Sequence, residues 1–193
     1  MRAAERRACL LDAALSIFAS RSYRAVTTAE IARAGGVSEP ILYRHFSGKR
    51  ELYLACLEEA WRRVRGLWER TVADEPDPRL WVTSMGRAYL DIEDPKMLIA
   101  DLWVQAVTEA SDDPRICSFL GDHMREVHAY VAGVIRRSQE AGGVLPEHDA
   151  AAEAWIFIAI GVLTTVGRRA GGLVEADLPA IFAARRAWLT GAA

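Results

Sequence analysis

Between Glu39 and Lys49 the sequence places a carboxylate, a phenol, a guanidinium, an imidazole and an ammonium within eleven residues: Glu39, Tyr43, Arg44, His45 and Lys49. Nothing in this set is arranged for making or breaking bonds. The chain has no Gly-rich phosphate loop, no nucleophile elbow and no evident carboxylate pair, so no residue supports an enzyme reading. Donors and acceptors of both signs on one short segment suit the recognition of polar edges on another molecule. The major groove of DNA presents such edges.

Two helices must position these side chains. Thr27-Thr28-Ala29-Glu30 is a capping-box pattern, in which a threonine hydroxyl accepts from the third amide and Glu30 reaches back to the cap. Helical spacing then turns Ile31, with Ala32 and Ala34 beside it, toward a packed side. Gly35-Gly36 ends this helix, because glycine takes the positive φ of a tight turn. Val37 fits as a plug between the helices, and Ser38 is a good N-cap for a second one. That second helix, expected over Glu39–His45, carries Leu42 and Phe46 four residues apart on a buried face. Glu39, Ile41, Tyr43 and Arg44 face outward. Helix, short turn and exposed helix of mixed donors and acceptors make helix-turn-helix anatomy.

Ile31-Ala32, Gly36-Val37-Ser38, Leu42-Tyr43, His45-Phe46 and Lys49 resemble the N-terminal signature of the TetR family of transcriptional regulators, over the first quarter of the chain. Gly35 departs from the family's usual alanine, and Ile41 from its common small or hydroxylated residue. The resemblance implies a double-stranded DNA operator as partner. It implies that Thr27, Thr28, Ser38, Tyr43, His45 and Lys49 hold the phosphate backbone and so fix the register, Tyr43 and Lys49 above all. Glu39, Pro40, Ile41 and Arg44 are then placed to face bases. Arg44 suits guanine O6 and N7, Glu39 a cytosine amine, and Pro40 or Ile41 a thymine methyl. In the family the Arg21–Arg24 loop lies near the backbone, which makes Tyr23 and Arg24 weaker phosphate candidates.

Charge is distributed accordingly. The 193-residue chain has a formal net charge of −2, yet residues 1–50 hold nine Lys/Arg against four acids, a balance of +5, which leaves −7 for the rest. A basic module on an acidic body is expected where one end meets DNA. Half the residues are hydrophobic, enough for a substantial core. No uninterrupted run of 18 apolar residues and no signal-peptide pattern occurs, so the expectation is a cytoplasmic protein with no membrane partner. Cys9, Cys56 and Cys117 lack Cys-x-x-Cys spacing and are expected to be reduced, in or near cores.

Helical periodicity predicts a first helix over Arg2–Ser20 and a fourth from about Ser47 to Ala73, closed by Asp74-Glu75-Pro76-Asp77-Pro78. Further helices are expected over Arg79–Glu93, from Asp94-Pro95, over Arg115–Ala141, over His148–Arg169 and from Asp177. No period-2 strand pattern appears. The expected fold is all-α with about nine helices. A helix-turn-helix domain occupies residues 1–48, and a helical effector-binding and dimerisation domain occupies 49–193.

The Trp155–Val166 stretch is apolar nearly all round and must be covered on every face, for which a second subunit is one solution. The resemblance implies the same: the last two long helices pair with a partner's, here through Trp155, Ile158, Val162, Phe182 and Trp188. A homodimer also suits half-sites one turn, about 34 Å, apart. A central core helix in a monomer is the other solution. Trp61, Trp68, Met85, Tyr89, Trp103, Phe119, His123 and Trp155 are candidates for a largely apolar effector pocket, with Gln105, Arg125 and Thr165 as further polar anchors. Each of these, taken singly, also fits an ordinary core position. His123 and His128 are five residues apart and diverge by about 140° around a helix, so neither a metal site nor a cofactor is indicated. The reading is a homodimeric repressor released from its operator by a small apolar effector. A helical carrier with a purely structural N-terminal module, and a regulator or activator without effector, are the alternatives.

Overall fold

The computed structural model describes residues 3–94, 97 and 99–192. Among them it contains nine α-helices and no strand: α1 (Ala3–Ser20), α2 (Thr28–Ala34), α3 (Glu39–Tyr43), α4 (Lys49–Asp74), α5 (Trp81–Leu90), α6 (Ile99–Ala110), α7 (Pro114–Glu140), α8 (Ala150–Arg169) and α9 (Leu178–Thr190). The all-α expectation holds, with shifts at several ends. The second helix stops at Tyr43 rather than His45. The helix expected over Arg79–Glu93 is shorter at both ends, because residues 79 and 80 belong to the turn that follows the Asp77 carboxylate. Arg2 and Pro95, named in two of the expected helix starts, and Leu98 lie outside the described residues. The next helix starts at Ile99.

The chain divides into two compact units. The first comprises residues 1–64 and 93–123, the second 65–92 and 124–193, so α4 and α7 contribute to both. In the first unit, Leu10, Leu11, Ala14, Leu15 and Phe18 of α1 are buried on the stripe their spacing predicts. Phe18 meets Tyr53 edge-to-face at 5.0 Å, and Tyr53 meets Tyr23 at 4.9 Å. The buried Tyr53 hydroxyl donates to the Leu102 carbonyl (2.8 Å), and Gln105 Nε2 donates to the Phe18 carbonyl (2.8 Å). The Trp103 indole N–H donates to His123 Nδ1 (3.1 Å), which leaves the proton on Nε2 to donate to the Leu57 carbonyl (3.2 Å). These buried donors are paired, while Gln105 Oε1 has no hydrogen-bond partner among the described residues.

The second unit packs around Trp68, whose indole N–H donates to the Met85 carbonyl (3.0 Å). Its ring lies parallel to Tyr130 and edge-on to Phe157. The Ser138 hydroxyl donates to the Pro78 carbonyl (2.7 Å), and Gly143 lets the chain pass there, since a Cβ would lie 2.4 Å from the Pro78 backbone. The α8 N-cap is Asp149, which accepts from the Ala151 and Ala152 amides. By length and composition α8 could cross a membrane, but a third of its apolar window is buried within the fold. Of the three cysteines only Cys56 is in a core. Cys9 and Cys117 are exposed, which corrects the expectation from composition.

Phe18→Ala removes a fully buried ring from the first unit and is expected to cost about 3–5 kcal/mol. Val107→Ala, on an α6 residue that is 58 % exposed, is expected to stay within about 0.5 kcal/mol. Urea unfolding of the two variants checks the contrast, and equal losses would contradict this core assignment.

Candidate nucleic-acid interface

The turn between α2 and α3 follows from its residues. Thr27 caps α2 and the full capping box forms: the Glu30 amide donates to Thr27 Oγ1 (3.2 Å), and the Thr27 amide donates to Glu30 Oε2 (2.9 Å). Gly36 takes φ +66°, the left-handed turn that a side chain resists. Gly35 is the C-cap, and a Cβ there would stand 3.0 Å from Leu10 Cδ2, so glycine at this position relieves a tight contact. Ile31 and Ala32 are buried as expected, but Ala34 faces solvent. Ser38 occupies the α3 N-cap with its carbonyl accepting from Ile41 and Leu42, yet its hydroxyl makes no capping bond.

On the outer surface, Tyr43 is half exposed, Pro40 and Arg44 are exposed, and Glu39 and Ile41 are half-buried. Leu42 and Phe46 are buried beneath them. The structure joins three of the expected contact residues: Thr28 Oγ1 donates to Glu39 Oε1 (2.5 Å) and lies 3.1 Å from the Tyr43 hydroxyl. Because the Thr28 proton goes to Glu39, the phenol is the donor in the second bond. Arg44 and the Ser38 hydroxyl have no partner among the described residues. His45 lies just past α3, half-buried.

Two other expected contact residues are engaged within the chain. Thr27's hydroxyl is taken up by Glu30. Lys49 turns its ammonium onto the loop before α2, donating to the Tyr23 (3.1 Å) and Val26 (3.0 Å) carbonyls with the Tyr23 ring 4.4 Å away. Arg24 pairs with Glu109 (2.9 Å) and with Asp112, and Arg50 pairs with Asp113 (2.7 Å). Glu109 at the end of α6 and Asp112 and Asp113 before α7 were not expected from sequence to pair with these bases. Separations of 63 to 88 residues carry no local signal. At the start of α4 the Ser47 hydroxyl and then its amide hydrogen-bond Glu51, which holds that carboxyl below its ordinary pKa.

The candidate effector residues divide between the two units. Trp61, Trp103, Phe119 and His123 belong to the first unit, while Trp68, Met85, Tyr89 and Trp155 belong to the second. Trp155 is 44 % exposed and stacks on His128 at 4.3 Å. The second unit contains a cleft of about 20 Å³, lined in part by Phe157, Ile160, Phe182, Glu153 and Arg185. None of the eight residues singled out from sequence lines it. Glu153 is buried there, paired with Arg185 and accepting from the Trp188 indole (3.1 Å). Burial lowers the Arg185 pKa. The available signal for this pair was a carboxylate at the start of the most apolar helix. Of the five expected interface residues, Ile158 is buried in its own chain, Val162 and Phe182 are half-buried, and Trp155 and Trp188 are exposed. Ile156, Leu163 and Val166 extend the exposed apolar surface of α8.

Arg21 and then the Thr27 amide and hydroxyl lower the Glu30 pKa from 4.5 to about 2. A depressed carboxyl contributes stability that is full above its unfolded pKa and is lost as pH falls toward the folded one. The α2 cap is therefore expected to weaken between pH 4.5 and 2, and Glu30→Gln should lose less stability than the parent over that window. Thermal unfolding at pH 5 and pH 3 measures this, and identical pH responses would remove Glu30 from the account. At neutral pH, Thr27→Ala is expected to cost about 1 kcal/mol.

Residues 10–56 match the family described as bacterial regulatory proteins, tetR family. A 54-residue stretch is 56 % identical to the HTH-type transcriptional activator FasR of Mycolicibacterium smegmatis, covering 28 % of this chain and 25 % of that protein. The chain thus matches only a quarter of that relative's length. In fold it is similar to a transcriptional regulator of the TetR family from Cytophaga hutchinsonii, with a TM-score of 0.82, 13 % identity, and 99 % and 96 % of the two chains covered. It is also similar to AibR solved in complex with isovaleryl coenzyme A and operator DNA, with a TM-score of 0.62, 16 % identity, and 82 % and 85 % covered. Residues 10–56 thus carry a helix-turn-helix of the tetR family's type, and nearly the whole chain shares the fold of the Cytophaga hutchinsonii regulator.

Proposed function

We propose that this chain is a sequence-specific, homodimeric DNA-binding regulator, a repressor released from its operator by a small, largely apolar effector. The observation that carries the DNA part is the α3 surface. Tyr43, Arg44, Pro40 and the partnerless Ser38 hydroxyl stand exposed on a helix whose other side is anchored by Leu42 and Phe46. Residues 1–48 act as the DNA-binding domain and 49–193 as the effector and dimer domain. Ser38, Tyr43 and His45 meet phosphates, while Thr27, Thr28 and Lys49 hold the surrounding backbone in register. Glu39, Pro40, Ile41 and Arg44 face bases. The protein works in the cytoplasm.

The homodimer rests on the exposed stripe of Trp155, Ile156, Leu163 and Val166, which leaves apolar surface in water unless a second copy covers it. The effector rests on the aromatic interior of the second unit and its polar pair Glu153–Arg185. AibR, solved with both an acyl coenzyme A and DNA, supports a ligand-responsive reading. Release requires the effector to bind the DNA-free state better, at about 1.4 kcal/mol for each tenfold loss of DNA affinity. FasR is named an activator, which favours a second reading in which DNA binding raises transcription. A reporter carrying the selected operator decides the sign.

Binding of fluorescent duplexes selected from a random pool tests the DNA reading. The expectation is a two-half-site consensus, log K falling with log salt by about 0.9 per phosphate neutralised by Lys or Arg, and weaker binding by Tyr43→Ala. No enriched sequence and no effect of Tyr43→Ala would refute it. Trp155→Asp and Leu163→Asp are expected to shift the sedimenting species from dimer to monomer while the helical content is kept. A dimer unaffected by both would place the interface elsewhere.

A further inference from the structure

We infer that Glu39 is the residue by which this chain demands a cytosine in its half-site, and that Thr28, itself held by Tyr43, is its positioning residue rather than a phosphate contact. This rests on the DNA-binding reading above and adds a base preference to it. The observation is the relay from Tyr43 hydroxyl to Thr28 Oγ1 to Glu39 Oε1, at 3.1 and 2.5 Å. Thr28 sits on α2 and Glu39 at the start of α3, so the relay ties the carboxylate to the neighbouring helix. A glutamate side chain left free would sample many rotamers. This one has a fixed Oε1 and an Oε2 without a partner among the described residues.

The Thr28 hydroxyl donates its one proton to Glu39 and accepts the phenol proton of Tyr43. No donor remains on Thr28 for a phosphate oxygen. The phenol proton of Tyr43 is likewise engaged, which leaves its exposed ring as the surface that meets the DNA backbone.

A fixed carboxylate facing the major groove accepts hydrogen bonds and gives none. Guanine presents O6 and N7 there, and thymine presents O4 and a methyl, so both oppose it acceptor to acceptor. Adenine offers its N6 amine beside the N7 acceptor, a pair that matches an amide side chain and repels one carboxylate oxygen. Cytosine offers its N4 amine with no adjacent acceptor on the same base. The selection is made largely by rejecting the other three bases, because a negative group brought to DNA without a donor is left unpaired.

The test is site selection from random duplexes by the full chain and by Glu39→Gln, Thr28→Val and Thr28→Ser, followed by titrations across salt. The wild type is expected to enrich one cytosine per half-site, preferred by about tenfold or more over the other bases. Glu39→Gln is expected to move that preference to adenine. Thr28→Val is expected to flatten the cytosine preference while affinity for random duplex stays unchanged, and Thr28→Ser to restore it. A Thr28→Val protein that keeps its base preference but binds every duplex more weakly by the same factor makes Thr28 a phosphate contact and overturns the proposal. An unchanged consensus in Glu39→Gln does the same. If the wild type enriches no sequence, the DNA reading falls and this inference with it.

Discussion

A five-residue helix has no stability of its own. Helices shorter than about 12–15 residues are marginal in water, so α3 exists only because its surroundings impose it. Leu42 and Phe46 supply the apolar anchor, and the Ser38 carbonyl closes the first turn by accepting two amides. Pro40 near the helix start fixes one φ before folding begins. Gly36 bends the chain so that α3 leaves α2 at the required point. The outer face of α3 is thereby spared from core packing. Its Glu39 and Tyr43 are tied to α2 through Thr28, while Arg44 stands exposed without holding the helix in place.

The second unit solves a different problem. Its interior is aromatic, yet it encloses the Glu153–Arg185 pair with the Trp188 indole hydrogen-bonded to the same carboxylate. Removing charges from water is costly, and such a pair stabilises only where its remaining hydrogen bonds are met. Ties of this kind fix one arrangement of α8 against α9, where an all-aliphatic contact would tolerate several. The Trp103–His123–Leu57 chain has the corresponding role in the first unit.

How much of this the sequence discloses depends on range. The capping box at Thr27–Glu30, the Gly35-Gly36 stop and the Leu42/Phe46 spacing are local, and each was legible because its cause lies within four residues. Ser38 shows the limit even there: its backbone caps, but its hydroxyl does not. The Thr28–Glu39 bond crosses a turn, and the Arg24–Glu109 pair crosses most of the first unit; neither leaves a periodic trace. The aromatic residues of the body announced a core without saying which would line a cleft. Phe157 and Phe182 do so, while Trp155 lies on the surface. Helix ends drifted where Asp77 and Arg79 form a turn that competes with the helix.

The ion pairs around α2 and α4 also change what the basic N-terminal composition means. Arg21 is matched by Glu30, Arg24 by Glu109 and Asp112, and Arg50 by Asp113, while Lys49 faces carbonyls and Arg7 lies over the Phe46 ring. Arg24 and Arg50, two of the bases behind the +5 read from the first fifty residues, are thus paired by acids from beyond them, and the field projected into solvent is weaker than the sequence count suggests. Under the proposed function, so weakened a long-range attraction for polyanions shortens each stay on random duplex. The search is then a series of short visits, and the time on DNA is set by the fit of a few side chains to one site.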